Sequence, residues 1–190
     1  ERTLKPTLKE ENVSIHSILK DPYIFEFLGL SNELKTTEFQ IETAIIDHIQ
    51  KFLLEFGKGF AFVARQQHII TDTSDFYIDL VFYNYILKCF VIIDLKTDKL
   101  SHQDIGQIDM YVRMYDDLKR NEGDNPTVGI LLCTEKDETI VKYSVLSDND
   151  NLFASQYMLY MPKEDDLKQI LNEDRIRYEA ALKNLFILET

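Results

Sequence analysis

The sequence predicts an α/β fold with a mixed β-sheet flanked by helices, in the order α-β-β-β-α-β. Three observations predict it. Helix-like periodicity precedes and follows a block of three strand-like runs. The next strand-like run comes only after the second helix, so it requires a crossover and pairs in parallel, whereas the first three are joined by short polar separators and suit an antiparallel meander. The composition, 190 residues of which 45% are hydrophobic and 28% charged, supports one substantial core.

Residues 1–13 read as a polar lead-in and 14–190 as a single domain. From Thr37 to Phe56 the apolar residues Ile41, Ile45, Ile49, Phe52, Leu53 and Phe56 recur at three and four, the mark of an amphipathic helix that Gly57-Lys58-Gly59 ends. FAFVARQQHII at 60–70, FYIDLVFYN at 76–84 and KCFVIIDLK at 88–96 are rich in aromatic and β-branched residues and read as strands. In SHQDIGQIDMYVRMYDDLKR, Ile105, Ile108, Tyr111, Val112 and Tyr115 return to helical spacing behind Ser101 as N-cap. TVGILLC at 127–133 reads as a buried strand, 136–146 as a short helix, QYMLYM at 156–161 as the last strand and 164–186 as a terminal helix. The aromatics Phe76, Tyr77, Phe82, Tyr83 and Tyr85 read as core.

Charge and motif content exclude several classes of function. A formal net charge of -12, with the acid surplus greatest toward the carboxyl end, argues against a protein that coats nucleic acid by bulk electrostatics. No stretch approaches the roughly 20 apolar residues that span a bilayer, and the charged amino-terminal residues do not form a signal-peptide apolar region, so a cytoplasmic location away from membranes is expected. Cys89 and Cys133 sit within apolar runs and read as buried small hydrophobes; zinc-finger spacing is absent. His16, His48 and His68 stand apart from any acid cluster. P-loops, dinucleotide-binding fingerprints and Ser-His-Asp arrangements are not apparent.

One constellation carries chemistry. Strand side chains alternate, so in VIIDLK the residues Asp94 and Lys96 share a face with Ile92, while Val91, Ile93 and Leu95 share the other. If the preceding turn centres between Ile86 and Leu87, the antiparallel register sets Asp79 opposite Asp94. Two carboxylates so placed repel unless something positive lies between them, and a divalent cation is the simplest candidate. Glu42 lies at the edge of the apolar stripe of the first helix, an acid facing the core. Gln107 and Tyr111, one turn apart on the second helix, supply hydrogen bonds from the other side. Hard divalent ions take carboxylate oxygens and retained waters, and such an ion activates water for phosphodiester hydrolysis. Lys96 would then handle the nucleophile or the phosphate. Arg65 in VARQQ is a candidate phosphate contact, and Lys99 and His102 flank the site in DKLSHQD.

The segments DPYIFEFLGL, FLLEFGKGFAFVARQ, FYIDLVFYN and CFVIIDLKTDKLSHQDIGQIDMY resemble the PD-(D/E)xK nuclease superfamily, and within it the bacterial YhcG-type family, over roughly residues 15–165. The resemblance implies a restriction-endonuclease-like core. It also implies Asp79 as the motif aspartate, Asp94 as its (D/E), Lys96 as its lysine, Glu42 as the first-helix glutamate and Gln107 as the later glutamine. Catalysis would rest on these five, with Asp79, Asp94 and Glu42 as metal ligands and Arg65, Lys99, His102 and Tyr111 toward nucleic acid. Ile78 stands where a proline is usual, and Asp94 where Glu is usual, which shortens that ligand arm by one methylene. The implied activity is a Mg²⁺-dependent endodeoxyribonuclease, with Mn²⁺ as a substitute, acting on DNA in defence or recombination. An amino-terminal helical domain is expected ahead of the nuclease domain. The alternatives are a nuclease-like module that grips nucleic acid or a protein without cutting, and a homodimer built on the aromatic strands.

Overall fold

The computed structural model describes residues 15, 19–20, 23–30 and 36–159. The lead-in at 1–13, His16 and the terminal helix expected over 164–186 lie outside the described residues. Helices α1 (Glu38–Asp47) and α2 (Ile49–Phe56) are followed by strands β2 (Phe60–Ile70), β3 (Asp75–Asn84) and β4 (Cys89–Lys99), helix α3 (His102–Leu118), strand β5 (Val128–Glu135), helix α4 (Glu138–Lys142) and strand β6 (Leu152–Met158); a two-residue strand β1 (Tyr23–Ile24) and a 3-10 turn at Glu26–Leu28 precede them. The sheet runs in the order β1-β6-β5-β4-β3-β2. Pairing is antiparallel from β2 to β4, and parallel for β4 with β5, β5 with β6 and β1 with β6. The mixed sheet and the α-β-β-β-α-β order expected from periodicity are both present.

Alternation along β4 divides the core into two layers. Val91, Ile93 and Leu95 face Ile41, Ile45, Phe52 and Phe56 of α1 and α2. Ile92 faces the other way, into the layer of Ile105, Ile108, Tyr111, Val112 and Tyr115 on α3. Both cysteines are buried thiols outside any disulfide, as their apolar settings indicated. α3 lies so close to the sheet that a Cβ at Gly129 of β5 would sit 2.8 Å from side-chain carbons of both Ile108 and Val112, and 2.9 Å from Leu152. Gly129→Val is therefore expected to cost about 1–3 kcal/mol through overpacking, read as a lower midpoint in chemical denaturation with an unchanged slope.

The structure corrects four expectations. The helix over 37–56 is two helices, broken at His48 (φ -116, ψ 30). Ile45, Ile46, Asp47, His48 and Ile49 form a run of weak helix formers, and the His48 Nδ1 lies 3.1 Å from the Ala44 carbonyl, where it competes with the backbone ladder. Among the described residues the last strand is Leu152–Met158, which starts earlier than QYMLYM, because parallel pairing with β5 recruits the less apolar LFAS segment; Tyr160 and Met161 lie outside the described residues. The helix at 136–146 is a single turn, Glu138–Lys142, capped by the Asp137 carboxylate accepting from Thr139 and Ile140 N–H. Tyr77 and Tyr85 are exposed and lie outside the core; Tyr77 stacks on His68 at 4.5 Å. Among the described residues no helix is long and apolar enough to cross a membrane.

Candidate active site

The β3–β4 ladder runs from Asn84↔Cys89 to Leu80↔Ile93. Continued by one step it sets Asp79 opposite Asp94, the register expected from the turn. At that step β3 departs from regular pairing. Ile78 and Leu80, two residues apart, fall into different core layers, so the alternation slips at Asp79. The Asp79 carboxylate replaces the missing ladder contact, its Oδ2 accepting the Leu95 N–H at 2.9 Å.

The neighbouring strand is irregular at the same level. Gln66 of β2 has φ +48, a left-handed conformation that a side chain adopts at some cost and that clusters at functional sites. Its amide donates to Asp79 Oδ1 at 3.1 Å and also to Glu42 Oε2. Asp79 is thus gripped on both oxygens. Burial raises its carboxyl above the ordinary range; the Leu95 N–H and Lys96 pull it down, and Glu42 pushes it up again.

Asp94 is 2% exposed. Burial, and after it the Asp79 charge, push its carboxyl up to about 7 against the pull of Lys96. The Lys96 ammonium lies 2.9 Å from Asp94 Oδ2, yet off the directions of a good hydrogen bond, so that buried oxygen accepts none and the contact is chiefly Coulombic. Burial of Lys96 favours its neutral form, but Asp94, Glu38 and Asp104 outweigh that and keep the ammonium above its ordinary value. Asp104 Oδ1 is 3.8 Å from the amine. Its Oδ2 accepts from the Ser101 N–H at 2.8 Å and the Ser101 hydroxyl at 2.6 Å, the capping box that starts α3.

The remaining candidates divide. On α3, the Gln107 amide donates to the Tyr111 hydroxyl at 2.7 Å. Burial raises the Tyr111 phenol, the Gln107 bond lowers it, and Asp94 and Asp79 add to the rise, so the pair sits within electrostatic reach of the carboxylates. Glu42 is buried on α1 and accepts from Arg65 Nε as well as Gln66. Arg65 also donates to the Thr43 hydroxyl at 2.9 Å, with its guanidinium 5.3 Å above the Phe39 ring. Lys99 pairs instead with Asp137 at 3.1 Å and Glu135 at 3.8 Å. His102 opens α3 and lines a separate cavity with Gly106 and Lys142.

One buried carboxylate, Asp94, with an oxygen that accepts no hydrogen bond, and one half-buried carboxylate, Asp79, form a donor set suited to a hard divalent cation that keeps several waters. Among the described residues no three His, Cys, Asp or Glu side chains are grouped to hold an ion. The fit is to a two-carboxylate site, with Glu42 withheld by its own partners.

A comparison with family profiles matches residues 16–172 to the one described as the YhcG PDDEXK nuclease domain. The chain belongs to the YhcG family of PDDEXK nuclease domains. It is 33% identical over 174 residues to the Escherichia coli (strain K12) protein named "Putative nuclease YhcG", which covers 92% of this chain and 45% of that protein; the chain therefore spans under half the length of that relative. Among solved structures, it is similar to a repair endonuclease from Pyrococcus abyssi (16% identity, TM-score 0.44, 66% of this chain and 49% of that one). It is also similar to EndoMS in apo form (14% identity, TM-score 0.45, 67% and 48%). These likenesses are remote, and the family assignment does not rest on them.

Three residues of this YhcG-family site escaped the sequence reading. Asp104 had a readable signal, the Ser101-x-x-Asp104 capping pattern. Glu38 had a weaker one, an acid in the first turn of α1; its Oε1 accepts the Thr97 N–H at 3.3 Å and its charge reaches both Asp94 and Lys96. Gln66 had none, because its role depends on a backbone conformation that residue type does not encode.

Proposed function

We propose that this domain is a metal-dependent endonuclease that hydrolyses phosphodiester bonds in DNA, with defence or recombination as the setting that the family resemblance implies. The observation that carries the reading is the convergence of Asp79, Asp94 and Lys96: the buried Asp94, its carboxyl pushed up to about 7, and the half-buried Asp79, beside an ammonium 2.9 Å from Asp94. Asp79 and Asp94 would hold Mg²⁺, or Mn²⁺ in its place. When bound, the ion supplies charge neutralisation and lowers the pKa of a coordinated water.

The chain's own residues do the rest. The Leu95 N–H and the Gln66 amide fix both oxygens of Asp79, so its position is set before substrate arrives. Lys96 stays protonated and presents positive charge to a phosphate oxygen where charge grows in the transition state. Asp104 steadies the amine from the start of α3. Glu42 and Arg65 hold Gln66 in its left-handed conformation rather than touching substrate themselves.

Incubation of supercoiled plasmid with the protein and Mg²⁺ should give nicked product, and Asp79→Ala should abolish both nicking and the Mg²⁺ heat signal in calorimetry. Retention of both in that variant refutes the reading. A module that grips DNA without cutting is favoured by one observation, the engagement of both Glu42 oxygens by Arg65 and Gln66; Mg²⁺ binding without nicking would select it.

A further inference from the structure

We propose that a cavity beside the catalytic carboxylates receives an unpaired nucleobase, so that the domain acts at nucleotides that are single-stranded or lifted out of a duplex. The proposal rests on the phosphodiesterase reading above and names the form of its substrate.

The cavity measures about 740 Å³ and opens between the start of α1 and the carboxyl ends of β4 and β5, within the size range of small-ligand sites. It adjoins the catalytic centre through the backbone. Thr97, in its wall, directly follows Lys96. Glu38, also in the wall, accepts the Thr97 N–H and is felt electrostatically at Asp94 and Lys96. Tyr157, a third wall residue, donates its hydroxyl to the Lys96 carbonyl at 3.1 Å. A nucleotide whose phosphate sits at Lys96 therefore has this cavity across the adjoining backbone of β4.

The lining selects the kind of group that enters. The described residues of the wall include no lysine or arginine, and Glu38 and Asp98 add negative charge, so a phosphate is repelled. A base edge is not. Exocyclic amino groups and ring N–H groups are donors, and carboxylates and threonine hydroxyls accept from them.

Phe39 supplies the stacking surface. The residue is 67% exposed at the cavity wall, and its ring lies against the Arg65 guanidinium, itself fixed by Glu42 and Thr43. A lone exposed aromatic is ordinary on a protein surface. One held by a buried-anchored arginine at the rim of a polar cavity, next to a phosphodiesterase centre, is a platform for a base. A base inside an intact double helix cannot reach it, because its edges are paired and its faces stacked.

The test uses the full chain with Ca²⁺ replacing Mg²⁺ and a single-stranded oligodeoxynucleotide carrying 2-aminopurine, whose fluorescence drops on stacking. Binding should quench the probe. Phe39→Ala should remove the quench and weaken binding roughly tenfold, at an unchanged melting temperature, and Phe39→Trp should restore both. The same sequence as a closed, fully paired hairpin should show no quench, and deoxyadenosine monophosphate should not compete at the oligonucleotide's own concentration. Unchanged affinity and quench in Phe39→Ala, equal binding of the closed duplex, or full competition by the free nucleotide would each overturn the proposal. Failure of the nuclease reading shows separately, as a parent protein that binds Mg²⁺ without nicking plasmid, or as nicking and Mg²⁺ binding that both survive Asp79→Ala.

Discussion

Lys96→Met is expected to slow single-turnover cleavage of labelled DNA by roughly 10²–10³-fold, the loss typical of removing one preorganised charge or donor from a transition state, while Mg²⁺ binding persists. The amine lies 2.9 Å from Asp94 and 3.8 Å from Asp104 and is largely shielded, with 18% of its side chain exposed. Methionine keeps the length and removes the charge, so packing survives. Asp94 and Asp79 then face each other without their compensating cation, which strengthens the site's demand for a metal ion instead of weakening it. Asp79→Ala and Lys96→Met are thereby separable: the first loses ion and rate together, the second loses rate alone. Calorimetry beside quenched-flow kinetics checks the split, and loss of Mg²⁺ binding in Lys96→Met would assign the lysine a role in building the site.

Asp94→Asn is expected to abolish cleavage and yet make the metal-free protein more stable at pH 8. The Asp94 carboxyl, ordinarily near 3.8, is pushed up to about 7 in the fold. Between those values the folded chain holds a proton that the unfolded chain has released, so stability falls as pH rises through this window and levels off above it. At pH 8 the folded state carries the whole penalty of an ionised, buried acid beside Asp79, on the order of a few kcal/mol. Asparagine keeps the shape without the charge. In EDTA, denaturation midpoints from pH 5 to pH 8 should decline in the parent and flatten in the variant, and Mg²⁺ at pH 8 should raise the parent alone. A parent that is flat over this range would contradict the burial argument.

Most of the frame was legible because it is periodic. The alternation of VIIDLK placed Asp94 on one face, and the length of the β3–β4 turn set the register with Asp79; both follow from strand geometry and need no tertiary information. Glu42 was legible as an acid in an apolar stripe. What escaped was local or cooperative. The break at His48 depends on backbone competition within a run of weak helix formers, and β6 begins at Leu152 because β5 offers it a partner, not because LFAS is strongly apolar. The left-handed Gln66 and the slip at Asp79 are departures from regular pairing, and periodic reasoning passes over them.

The capping box of α3 ties helix nucleation to chemistry. Asp104 closes the first turn with one oxygen and faces Lys96 with the other, so the lysine's orientation depends on whether that turn is wound. Helix ends fray well before sheets dissolve. Warming or mild denaturant is thus expected to disarm the amine while the strands still stand, so that loss of any cleavage precedes unfolding.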